Sequence, residues 1–178
     1  MISLVIVFYM FVILFGFIGA MRGWAKEILV TFSVILALAF ISVIELLLPM
    51  VGPFIQSNPS MQYWFRILTV VLMAFFGYQS PKFSRLSKAA ERRDRIQDVM
   101  LGMFLGLVSG WFVIGTLWYY THQADYPMLA KYVVPAQGDM AESMQRILKL
   151  LPPVWLGKQP NIYIAVVLAF IFVIIVFL

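Results

Sequence analysis

The sequence predicts an all-α, polytopic integral membrane protein with about five transmembrane helices and one interfacial amphipathic helix. Three observations carry this. The 178 residues are 63% hydrophobic and only 12% charged, whereas a soluble domain averages about 45–50% apolar and about 25% charged. Apolar runs of bilayer length recur along the whole chain, and the mean hydropathy is +0.94. The charged residues collect between those runs rather than within them. At about 20 residues per crossing, four or five spans use up the chain and leave no room for a separate soluble catalytic domain.

The first span runs from about Ile2 to Met21 with no charge before it, so it lacks the basic n-region of a secretory signal. A short hinge, Arg22-Gly23-Trp24-Ala25-Lys26-Glu27, leads into a second span from about Ile28 to Leu48, ended by Pro49. Val51 to Gln62 is uncharged and holds Gly52, Pro53, Asn58 and Pro59, a density of turn formers that predicts a loop. Tyr63 and Trp64 fit an interfacial anchor at the start of a third span reaching Tyr78. The basic stretch from Gln79 to Asp98 is helix-friendly from Ser87 onward, with Glu91 and Arg95 an i,i+4 pair. It is expected to run straight into a fourth span from about Val99 to Tyr120. In the following connector, Asp139 and Glu142 form a capping-box pattern. Met140, Met144, Ile147, Leu148 and Leu151 share one helical face, and Pro152 and Pro153 stop the segment, which predicts an amphipathic helix in the interface plane. The last span is Ile162 to Leu178. Its end carries no polar residue, so either partners anchor it or the natural chain continues. The organisation is therefore a four-span region over 1–121, an extracytoplasmic connector over 122–161 holding the helix 139–151, and a fifth span over 162–178.

Charge placement gives the expected orientation. Arg22, Lys26, Lys82, Arg85, Lys88, Arg92, Arg93 and Arg95 account for eight of the thirteen basic residues and lie in two connections of about 26 residues together. Lys131, Arg146, Lys149 and Lys158 are spread through about 52 residues of the other two, and Arg66 lies at the far end of the third span. By the positive-inside rule the N-terminus is outside and the C-terminus inside. The net charge of +5 then reports topology, and no nucleic-acid partner is expected. With no cysteine, disulfide and thiolate chemistry are excluded.

The most informative motif is Asp98-x-x-x-Gly102-x-x-x-Gly106-x-x-x-Gly110. A glycine costs a helix roughly 1 kcal/mol relative to alanine, so three in register need a reason. In a membrane, close helix–helix approach is the usual one. The first span carries a matching device, Gly16-x-x-x-Ala20 overlapping Gly19-x-x-x-Gly23, which predicts a close pair between the first and fourth spans. Arg22, Lys26, Glu27 and Asp98 form an interfacial charge cluster at one end of that pair, and a bridge between Asp98 and Arg22 is expected there. Glu45 lies about 27 Å along the helix from Glu27 at 1.5 Å per residue, which places it at the opposite interface. No ionisable residue falls at a midplane, which points away from a one-subunit proton or ion path. His122, the one histidine, sits beside Trp118, Tyr119 and Tyr120. It is a candidate ligand for a haem or chlorin metal, but a histidine amid an aromatic belt is far more often an interfacial residue. No ligand cluster, phosphate loop or nucleophile–base pair accompanies it, so neither a cofactor, a metal nor an enzymatic activity is expected.

The two motifs together, Arg22-Gly23-x-x-Lys26-Glu27 after a first span and the Asp98–Gly110 ladder opening the fourth, resemble the colicin V production protein family over about residues 1–121. That family's pattern commonly has Arg directly after the aspartate, where Val99 stands here, and four spans rather than five. The resemblance implies a small bacterial inner-membrane protein linked to peptide-toxin secretion and envelope maintenance. The expected function is a non-catalytic accessory or scaffold protein in the lipid bilayer, working with other membrane subunits or with itself. Two other readings are an oligomeric channel or transporter subunit, and a small subunit of a large photosynthetic or respiratory complex.

Overall fold

The computed structural model describes residues 4–48, 51–79, 95–127 and 139–177. Among them every regular element is an α-helix: α1 (Leu4–Arg22), α2 (Trp24–Leu47), α3 (Val51–Gln56), α4 (Pro59–Tyr78), α5 (Arg95–Gln123), α6 (Asp139–Leu150), α7 (Pro152–Trp155) and α8 (Asn161–Phe177). Four of these, α1, α2, α4 and α5, are long and apolar enough to cross a membrane. With 17 residues, α8 stands at the short end of the spanning range of about 17–25 residues. The chain is an all-α polytopic membrane protein. The expected helix from Ser87 and the pairing of Glu91 with Arg95 fall outside the described residues.

Only Gly23 separates α1 from α2. Its φ of 86° is in the left-handed region, where a side chain is strained, and its N–H donates to the Gly19 carbonyl at 2.9 Å. A glycine here lets the chain reverse within one residue. Asn58 caps α4, its side-chain oxygen accepting from the Ser60 and Met61 amides at 3.1 and 3.2 Å, with Pro59 at the first helical position. The turn-rich stretch before it is not all loop. Val51–Gln56 closes a short helix, the Gly52 N–H donating to the Leu48 carbonyl at 2.9 Å. Gln56 Nε2 donates to the Glu45 carbonyl at 2.9 Å, which folds α3 back over the end of α2. A Cβ at Gly52 would lie 2.5 Å from that same Glu45 oxygen, so the fold-back needs glycine.

The central pairing is α1 against α5, antiparallel. A Cβ at Gly106 would lie 3.0 Å from the Cα atoms of both Gly16 and Gly19, and against the Phe15 carbonyl. One at Gly102 would come within 2.5 Å of the Gly19 carbonyl, and one at Gly110 within 2.6 Å of Phe15 Cβ. Around Gly19, Gly102 and Gly106 the two backbones therefore touch with no side chain between them. α2 packs against α4, α5 and α8, and α4 also meets α5. Val30, Val34, Ala74 and Val113 fill the middle of that three-helix contact.

The apolar face of α6 is turned onto protein: Ile147, Leu148 and Leu151 join Phe8 and Val12 of α1 and Trp118 of α5 in one buried cluster. Pro152 and Pro153 end α6 and also begin α7, since a proline at the first position of a helix has no amide to satisfy.

Gly106→Ala should destabilise the protein by about 2–3 kcal/mol, because its methyl meets rigid backbone. Gly16→Ala should cost under about 1 kcal/mol, because its nearest obstacle is the movable Leu107 side chain at 2.8 Å. Unfolding titrations in mixed micelles distinguish the two.

Candidate functional site

Two ion pairs lie toward opposite ends of the bundle, tied together by α2. At the first end, Arg22 closes α1 and Glu27 lies in the first turn of α2, where each charge complements its helix dipole. Arg22 Nη1 bonds Glu27 Oε1 at 2.7 Å, and Arg22 Nη2 donates to the Tyr78 carbonyl at 3.0 Å. The guanidinium also lies 4.2 Å from the centre of the Tyr78 ring, within cation–π range. Glu27 is 0% exposed, and its second oxygen accepts from the Ser109 hydroxyl at 2.6 Å. One buried carboxylate thus ties α1, α2, α4 and α5. A buried charge is tolerated only when paired and hydrogen-bonded, and both conditions hold here.

The expected Arg22–Asp98 bridge does not form. Arg22 turns to Glu27, five residues away and already inside the bundle, where a charge without a partner costs most. Asp98 lies under the hinge, its Oδ2 3.2 Å from where a Gly23 Cβ would stand. Gly23 therefore serves both the reversal and the room for this carboxylate. Lys26 is exposed, so the interfacial cluster divides: Arg22 and Glu27 are a core pair, Asp98 packs on the hinge, and Lys26 faces outward. Gly16, Gly19, Gly102, Gly106 and Gly110 all lie in the α1/α5 contact, and Ala20 is half-buried beside it.

At the other end, Arg66 of α4 grips Glu45 of α2 through two bonds of 2.7 Å each. Arg66 Nη1 also donates to Gln123 Oε1 of α5 at 2.8 Å, and its guanidinium lies 5.1 Å from the Tyr120 ring centre. The sequence places Glu45 and Arg66 at the same interface, but nothing in it pairs them. The faces of two helices become adjacent only through tertiary packing. Ser109 was legible only as a small residue beside the ladder, and Tyr78 only as the end of a span.

His122 is half-buried, and its Nδ1 lies 3.0 Å from the Tyr126 hydroxyl. Trp118 Nε1, a donor only, lies 3.3 Å from the same oxygen. Tyr126 therefore accepts from Trp118 and shares a hydrogen bond with His122 Nδ1, linking the three rings. Burial pushes the Tyr126 hydroxyl above the ordinary phenol value. Among the described residues no group of three or more His, Asp or Glu side chains gathers as a metal site. No family model, curated protein or solved structure matches the chain.

Glu27→Gln should destabilise by about 3–5 kcal/mol, because it leaves the Arg22 charge without its counter-ion. A double-mutant cycle of Arg22→Gln with Glu27→Gln should show strong coupling, whereas Arg22→Gln with Asp98→Asn should be nearly additive. The Thr116 hydroxyl is buried with no hydrogen-bond partner. Thr116→Val should therefore raise stability, by up to about 1 kcal/mol, in the same unfolding titration.

Proposed function

We propose that this protein is a non-catalytic accessory or scaffold protein of a bacterial inner membrane, supporting an export or envelope process. The observation that carries the reading is the use made of its buried charges. Arg22, Glu27, Glu45 and Arg66 are each held in helix-to-helix ties, and the small-residue face is filled by backbone contact. Such an interior favours a fixed frame over a moving conduit. The outward faces remain richly apolar, with Ile6, Met10, Ile13, Leu14 and Phe17 exposed along α1. That face suits contact with lipid or with the helices of a partner.

The placement is an N-terminus outside and a C-terminus inside, supported by the concentration of basic residues at the Arg22 end of the chain's connections. The likeness to the colicin V production proteins in the Arg22–Glu27 and Asp98–Gly110 motifs supports the bacterial inner membrane and the link to secretion. Both motifs lie in the α1/α5 pair and its hinge.

Photo-crosslinkers placed at Ile13 and Phe17 in native membranes should capture a defined membrane partner, and the same partner should co-purify in gentle detergent. A colourless monomer that crosslinks to nothing would overturn the scaffold reading. A homo-oligomer that conducts in liposomes would replace it with the channel reading, and a pigmented assembly would replace it with the large-complex one.

A further inference from the structure

α8 is held differently from the other long helices. It meets α2, with Ile162 buried in the shared core and Phe170 edge-on to Phe32 at 5.0 Å between ring centres. Toward α5 it stands away, and a cavity of about 880 Å³ opens sideways between them. Ile28 and Ile35 of α2 form its floor, Leu101 and Phe112 of α5 one wall, and Ala169 and Phe172 of α8 the other. Its lining carries no charged residue. Thr31 brings a hydroxyl, but that already donates to the Glu27 carbonyl at 3.2 Å.

Length and volume select the occupant. From Leu101 to Phe112 the slot runs about 16 Å at 1.5 Å per residue, close to half of a hydrocarbon core about 30 Å thick. It is one leaflet deep. Trp155 and Leu156 line the end nearest Phe112, the Trp155 ring edge-on to Phe112 at 6.2 Å. Trp24 stands at the other end, next to the charged hinge, where an indole belongs at a membrane–water boundary. Flexible hydrocarbon chains fit the volume, the depth and the apolar lining together.

We propose that the slot between α5 and α8 is a binding site for a phospholipid of the leaflet on the Arg22–Asp98 side. Its acyl chains lie along α5 as far as Trp155, and its headgroup emerges at Trp24. The site is independent of the scaffold reading, because it rests on the cavity alone.

The full chain, purified in mild detergent and exchanged into vesicles of phosphatidylglycerol or of phosphatidylethanolamine, should retain phospholipid through native mass spectrometry. Phospholipid with a photoactivatable acyl chain should label α5 and α8 around Val108 and Ala169. Ala169→Phe and, separately, Val108→Phe should each reduce retention about tenfold, while Phe104→Trp, on the exposed face of α5, should leave it unchanged. Helical content by circular dichroism identifies any variant that fails to fold, and photolabelling of the unaltered chain does not depend on the variants. Labelling from either lipid supports the site, and a difference between them shows that the headgroup contributes. Equal retention by the slot variants and the control, detergent alone in the slot, or crosslinking of the slot to a second copy would each overturn it.

Discussion

The contact between the backbones of α1 and α5 is the constraint from which the rest of the bundle follows. With glycine at 16, 19, 102, 106 and 110, the two helices approach until one's carbonyls lie against the other's Cα atoms. This brings α5 close enough to α2 for the Ser109 hydroxyl to reach Glu27. It also places Gly115 against Leu151 and Phe8, which seats α6 at the far end. In lipid no hydrophobic drive pulls helices together, so close packing supplies the attraction.

The ion pairs act as pins. Arg22–Glu27 fixes one end of α2 against α1, α4 and α5, and Arg66–Glu45 fixes the other end against α4 and α5. A helix shifted by one residue would break both, since each acceptor would turn about 100° from its donor. Buried pairs contribute little net stability, but they penalise every arrangement that separates them. Packing thus supplies affinity between the helices, and the charges select the register.

The fold was legible where the physics is local. Apolar runs located α1, α2, α4, α5 and α8, and the capping pattern at Asp139 marked the start of α6. The small-residue faces on 16–23 and 102–110 identified the helix pair, because few forces other than close approach keep glycine in register along a helix. Less of the site was legible. The expected partner of Arg22 was Asp98, and finding Glu27 in its place depends on the burial of Glu27, which no sequence pattern encodes. The Arg66–Glu45 pair and the slot beside α8 depend on how non-adjacent helices face one another. The α3 fold-back was hidden by prolines and a glycine that read as loop.

The single-residue reversal at Gly23 has a consequence for how the molecule is assembled. Arg22 and Glu27 are five positions apart, so their pairing needs only α1 and α2. A hairpin of these two helices can enter the bilayer with that acid and that base already neutralising each other at its tip. Helices α4 and α5 arrive afterwards, the Tyr78 carbonyl and the Ser109 hydroxyl completing a pair that exists without them. The costliest charge in the bundle is thus compensated by the shortest-range contact available to it, before any long-range contact has formed.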